Sequence, residues 1–501
     1  MRSSILAQFM PNNFKQLGQS LSLIGVVVVT GLIMIIGLLF VRPAMLFISL
    51  LWFGALLTVV LPIRSQLIFF WLILPFVDLM KRIIYLDQNS SVVDTYLVLA
   101  TQDIILLVVV LKIFVSALHS PLKIHWRTSD TALACFVIYS LFSALASAGT
   151  PLIARVATIG MYVWPMVMFY LAARYLSDAT SLNKLVKLTI TLAVIVALYG
   201  IWQFFIGVLP YEVAWIERAA DTSANVAHLL YDASRGVFRT FGTLDSHSSY
   251  GIFLGIGLIL TWADRYRLGW LLWAIVSLIQ FVGLILSFTR FTWLMPILAL
   301  GFIFLFSYSK IRPLFSLQRW RKASLLLMGI IASFFIFYAL MSGLYGHNLV
   351  SSSNSYLLRA FGTGTLEARL QVNSLQVENA RTFLLGKGLA KTGFFARKFD
   401  FESRDVNYHN IFVDMVDSMG LIGLGLFLWF LYSLLKQSLL NIKSLTDLRT
   451  RRLMISIVGL VLAMITVGHF NGAVFYFGRA IPAYFWAFCG IIAHYDKRYS
   501  P

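Results

Sequence analysis

Charge is what this chain has least of. Only 12% of its 501 residues are Asp, Glu, Lys or Arg, against about 25% in an ordinary soluble domain. That scarcity excludes a water-soluble globular fold. Cysteine is nearly absent: Cys135 and Cys489 both lie in apolar runs, so neither a disulfide framework nor a cysteine-based metal site is expected. Acidic residues number 21 against 40 basic ones, a net charge of +19. Internal repeats are not visible, which argues against an inverted-repeat transporter. The one biased segment is Ser351-Ser352-Ser353-Asn354-Ser355, read as a flexible stretch.

What is present is long apolar sequence. Hydrophobic residues make up 59% and aromatics 15%, and the mean hydropathy is +0.83. The runs far exceed the period of a half-buried strand, so helices are expected to cross the bilayer. Helices satisfy their own backbone groups, which lipid cannot do. A window of ~20 residues predicts about fourteen spans. They lie near 21–41, 44–63, 66–80, 93–117, 130–148, 156–175, 185–209, 246–263, 268–288, 290–309, 323–342, 410–435, 454–476 and 480–495. The third is short and the last two are close, so twelve or thirteen also fit. The run from Leu21 lacks a small-residue cleavage site after it, so no removable signal is expected.

The basic residues orient the spans. Loop 310–322 carries Lys310, Arg312, Arg319, Arg321 and Lys322, and loop 436–452 carries Lys436, Lys443, Arg449, Arg451 and Arg452. Short basic loops stay in the cytoplasm, so the positive charge implies no nucleic-acid partner. Counting spans places both termini inside and puts 210–245 and 343–409 outside. The chain then divides into spans 1–342, a large partly helical external loop 343–409, and C-terminal spans 410–501. Lys81-Arg82 is the exception, since this register puts it outside.

Chemistry is expected at the external face. Arg239 lies in Phe238-Arg239-Thr240-Phe241-Gly242-Thr243 just before a span, and Arg290 follows Thr289 with almost no loop. An arginine at that depth calls for an anionic partner, although snorkelling to lipid phosphates is its commoner fate. His409 opens the span after the large loop. Neutral imidazole suits general-base work, and a helix N-terminus favours the neutral form. Leu384-Leu385-Gly386-Lys387-Gly388 predicts a tight turn whose glycines admit close backbone approach. Eight residues past His409, Asp417 falls within about 80° of its helix face, whereas Asp414 falls nearly opposite. Gly251-x-x-x-Gly255 permits close helix packing behind Arg239.

Taken in order, Arg-x-x-Gly (Arg239, Gly242), Thr289-Arg290, Leu-Leu-Gly-x-Gly (384–388), His409-Asn410 and Gly420-Leu421-Ile422-Gly423-Leu424 resemble the O-antigen ligase and polymerase superfamily. The resemblance covers roughly residues 230–430. It implies an all-α polytopic glycosyltransferase with a GT-C-like architecture in a bacterial inner membrane, its active site facing the periplasm. It implies transfer of a glycan from undecaprenyl diphosphate to an acceptor sugar hydroxyl, with inversion at the anomeric carbon. In that scheme His409 is the base, and Arg239 and Arg290 hold the leaving diphosphate. Arg369, Arg381, Asp245, His247, Asn410 and Asp417 are further candidates for donor or acceptor contacts. The family commonly has an asparagine where this chain reads Leu244-Asp245-Ser246-His247-Ser248, and a Ser-Arg-Gly where it reads Thr289-Arg290-Phe291. No metal or cofactor is required, since arginines can hold the diphosphate. Asp400-Phe401-Glu402 is spaced like an Asp-x-Asp element, but two carboxylates alone rarely fix a divalent ion. Implied partners are the lipid-linked donor, an acceptor glycan or lipid A core, membrane lipids and a chain-length regulator. A polymerase is the favoured reading and a ligase the alternative. A small-anion transporter is the reading from another class, with Asp103 and His469 as its intramembrane clues.

Overall fold

The computed structural model describes residues 43–119, 126–147, 149–222, 231–232, 237–265, 269–308, 383–391, 410–468 and 480–495. Regular structure among them is helical, apart from one two-residue antiparallel ladder, β1 (Tyr231–Asp232) on β2 (Val237–Phe238). Seven helical stretches are long and apolar enough to cross a membrane: Pro43–Val60, Val93–Leu118, Thr128–Leu145, Leu152–Tyr175, Ala179–Ile206, Ile411–Ser444 and Leu448–Gly468. Four shorter helices are also apolar. The chain is a multi-pass helical membrane protein. The expected spans 21–41 and 323–342 lie outside the described residues. Each of the other twelve coincides with a helix or a broken helix.

The chain packs as two compact units, Met1–Ile124 with Val208–Arg218, and His125–Gly207 with Ala219–Pro501. In the first, α1 (Pro43–Leu57), α2 (Ile63–Ile73) and α3 (Val77–Ile83) pack along α4 (Val92–His119). Pro75 breaks the expected third span into a 3-10 turn between α2 and α3, because proline supplies no amide donor. Lys112 Nζ, on α4, donates to Val59 O at 2.9 Å and Leu61 O at 2.6 Å. It satisfies carbonyls left open where the chain turns at Pro62.

This unit explains the exception in the charge pattern. Arg82 and Glu212 are both fully buried, with Nη1 2.8 Å from Oε1. Lys81 pairs with Asp78 at 2.6 Å. Both cations also lie over the Trp215 ring. The charges at 81 and 82 are thus neutralised inside the fold and carry little topological weight. Glu212 and Trp215 belong to α9 (Pro210–Thr222), so the expected external loop 210–245 begins as a helix.

The second unit comprises α5 (Thr128–Leu145), α6 (Leu152–Tyr162), α7 (Val167–Tyr175), α8 (Ala179–Ile206), α10 (His247–Ala263), α11 (Trp270–Leu286), α12 (Arg290–Tyr308), α13 (Ile411–Ser444), α14 (Leu448–Gly468) and α15 (Ala480–His494). Its centre is α10, buried without interruption from His247 to Thr261. Such all-round apolarity marks an enclosed helix. By contrast α11 exposes Trp270, Leu272 and Leu278, as a lipid-facing helix does. A Cβ on Gly251 would lie 2.5 Å from the Thr292 hydroxyl, so the expected small-residue seam is real and seats α10 against α12.

Contacts fix how these helices run. Gly251 and Gly255 meet Thr292 and Met295, so α10 and α12 start at one end. Arg449, at the start of α14, donates to Asp264, just past α10, at 3.2 Å. Because three residues join α13 to α14, α13 starts at the same end as α10. Ser143, late in α5, donates to Ser418 O early in α13 at 3.2 Å, while Arg127 reaches Asn441 at 3.2 Å. One end therefore gathers the starts of α10, α12 and α13. The opposite end gathers Arg174, Lys184, Lys187, Arg265, Lys443, Arg449, Arg451 and Arg452. There, burial pushes the Asp264 carboxyl above the usual range, opposed by Arg449 and Lys187.

Candidate functional site

Arg239 follows β2 and leads into the turn before α10. The turn is held from α8. Gln203, fully buried, accepts from Phe241 N at 3.2 Å and Gly242 N at 3.0 Å through its side-chain oxygen. Gly242 has φ 56, and a Cβ there would lie 2.6 Å from a ring carbon of Tyr250. The glycine of Arg-x-x-Gly is thus required twice, by its left-handed backbone and by the tyrosine packed on it. Ser246 caps α10 by accepting from Ser249 N at 3.2 Å. His247 is then its first residue, and its Nε2 lies 3.3 Å from Arg239 Nη1. Asp245 sits half-buried in the same turn, with the Ser246 hydroxyl 3.5 Å from its Oδ1.

The second arginine motif meets this corner. Thr289 Oγ1 donates to His247 O at 3.5 Å and to Ser287 O at 3.0 Å. Phe288, between α11 and α12, has φ 49, a costly conformation for a bulky residue and of the kind that collects at functional sites. It lets the chain reverse with only three residues, so Arg290 opens α12 directly beside the turn. The Arg290 side chain lies outside the described residues. Among the described residues the buried Thr240 and Thr243 hydroxyls find no hydrogen-bond partner, so this corner holds polar groups still to be satisfied.

The third motif explains an irregularity in α13 that its apolar sequence did not announce. Gly420 has φ 66 and ψ −172, which breaks the helix. An unbroken helix would bond Leu421 N to Asp417 O and Ile422 N to Ser418 O. Residues 383–388 take both sets of partners instead. Lys387 N donates to Asp417 O at 2.8 Å and Gly388 N to Ser418 O at 3.0 Å, while Leu421 N donates to Phe383 O at 2.9 Å and Ile422 N to Leu384 O at 3.4 Å. The loop is spliced into the helix ladder, so these four backbone groups keep partners across the break. A Cβ on Gly386 would lie 2.5 Å from Met419 N, which is the close approach the glycines were expected to permit.

The splice rests on α5. Leu389 N and Ala390 N donate to the hydroxyls of Ser143 and Ser147 at 3.1 and 3.2 Å. Tyr139 donates to Met419 O at 3.0 Å. Lys387 Nζ is 2.9 Å from Asp417 Oδ1. Among the described residues neither oxygen of this buried carboxylate has a hydrogen-bond partner, so the contact holds as an ion pair. Asn410 caps α13, accepting from Phe412 N at 2.9 Å and Val413 N at 3.4 Å.

The structure thus joins Arg239, Asp245, His247 and the Thr289-Arg290 turn in one corner. It sets Asn410, Lys387 and Asp417 at the same end of the unit. His409, Arg369, Arg381, Asp400, Glu402 and His469 lie outside the described residues. Asp103 is half-buried on α4. Among the described residues no three His, Cys, Asp or Glu side chains converge as a metal site would require. Sequence reading passed over Gln203, Tyr139, Ser143, Ser147 and the pairing of Lys387. The signal was there for some of them: a lone amide in an apolar helix, and Ser140, Ser143 and Ser147 at helical spacing on one face. Compared with known proteins, the chain matches no family model and no curated sequence.

Proposed function

We propose that the chain is a metal-independent glycosyltransferase that uses an undecaprenyl-diphosphate-linked glycan. It transfers that glycan to a sugar hydroxyl at the periplasmic face, as an O-antigen or exopolysaccharide polymerase. The observation that carries this reading is that Arg239 and the Thr289-Arg290 turn both contact His247 at one end of the unit. The start of α13, which His409 precedes, lies at the same end. The opposite end is basic, and the positive-inside rule makes it cytoplasmic. Guanidinium forks suit diphosphate oxygens, and donors fixed at a low-dielectric boundary stabilise the departing charge strongly. His409 takes the acceptor proton as the acceptor oxygen attacks the anomeric carbon and the lipid diphosphate leaves.

The test is purified protein with an undecaprenyl-diphosphate glycan, with and without lipid A core. Laddering without the core is expected. Transfer only with the core makes the enzyme a ligase, and no release of undecaprenyl diphosphate in either case sinks the glycosyltransferase reading. His409→Ala is expected to lower turnover about 10²- to 10⁴-fold, the usual worth of a general base, with donor binding nearly unchanged. Arg239→Ala or Arg290→Ala should weaken donor binding about 10- to 150-fold, the loss of charged hydrogen bonds worth about 1.5–3 kcal/mol.

A further inference from the structure

We infer that His247 is a proton-coupled ligand of the diphosphate group, taking up a proton when a diphosphate binds at Arg239. The inference rests on the reading of Arg239 as a diphosphate-binding residue.

The starting geometry sets the protonation state. Arg239 Nη1 and His247 Nε2 are 3.3 Å apart. Guanidinium nitrogens only donate and stay charged, so Nε2 is the acceptor. In that bond a neutral imidazole carries its proton on Nδ1. The backbone holds this arrangement firmly. Ser246 caps the helix below His247, Thr289 engages His247 O, and the ring is buried with the residue 8% exposed.

An anion arriving at Arg239 draws that donor to itself. Nε2 then faces a phosphate oxygen, and two lone pairs repel until Nε2 carries a proton. Once protonated, the imidazolium donates a charge-assisted hydrogen bond to the same anion. Imidazole is the side chain suited to gaining and losing a proton near neutrality. Among the described residues, the other charged residues at this corner are Asp245, in the same turn, and Arg290, which opens α12. The helices packed on α10, namely α8, α11, α14 and α15, carry no charged residue in the half of their described spans toward this end. His247 is thus a titrating group in direct contact with Arg239. An amide at this position would accept from Arg239 equally well but could not add charge.

The experiment is calorimetric titration of the purified protein with farnesyl diphosphate in two buffers of different ionisation enthalpy, between pH 6 and 8. A prenyl diphosphate can only lose protons on meeting cations, so net uptake must come from the protein. Net uptake is expected for the wild type and not for His247→Asn or His247→Gln. The affinity ratio of wild type to His247→Asn should rise as pH falls, by up to tenfold per pH unit between the free and bound titrations. Net proton release by the wild type, or a ratio independent of pH, overturns the inference while Arg239→Ala still weakens binding. No binding by the wild type, or binding indifferent to Arg239→Ala, overturns the diphosphate reading itself.

Discussion

The spliced segment 383–391 can be tested by removing the charge that anchors it. Asp417 is buried, 4% exposed, and Lys387 stands 2.9 Å away. With Lys387→Met the carboxylate keeps no counter-charge. Breaking a buried pair from one side costs about 3–5 kcal/mol. The lysine side chain is 26% exposed, so water already screens part of the pair. About 2 kcal/mol is the reasonable expectation after that discount. The amides of Lys387 and Gly388 report the loss directly, since they donate to Asp417 O and Ser418 O. Hydrogen exchange there should quicken about 30-fold, because 1.4 kcal/mol is a factor of ten. Adding Asp417→Asn should restore most of the protection, since a neutral pair leaves no charge stranded. Exchange unchanged in Lys387→Met, or a double variant as open as the single one, would refute the argument that the ion pair holds the segment.

Other consequences can be measured in the same preparation. Gly242→Ala places a Cβ 2.6 Å from the Tyr250 ring at φ 56. It should cost at least the ~1–2 kcal/mol of a left-handed residue, seen as a lower thermal midpoint and weaker donor binding. Glu212→Ala strands the fully buried Arg82 and should destabilise the first unit by about 3–5 kcal/mol, whereas Arg82→Met with Glu212→Leu should recover most of that in thermal unfolding. Asp447 caps α14 by accepting from Arg449 N and Thr450 N, and those bonds, with the Thr450 hydroxyl, hold its carboxyl below the usual range. Its contribution is present above the ordinary carboxylate pKa of about 3.9 and disappears as pH falls through the lowered value. Asp447→Ala should therefore lower the thermal midpoint at pH 7 and have little effect near pH 2.

The linear sequence determined the solvent and the secondary structure of this protein. Sparse charge and ~20-residue apolar runs leave helices as the available solution in lipid. That is why twelve expected spans coincide with helices. It also marked Arg239 and Arg290 at the ends of apolar runs, because an arginine there stands out against Leu, Ile and Phe. Tertiary structure alone decided three things. Arg82 is neutralised by Glu212, 130 residues away, and no local pattern encodes that distance. His247 is a partner of Arg239 because the turn between them is gathered by Gln203 from another helix. Finally, α13 is broken at Gly420. Its hydropathy is continuous through the break, so the apolar pattern reads as one span. The break is stable only because residues 383–388 arrive with four hydrogen bonds, one for each backbone group left over from the two the helix gave up.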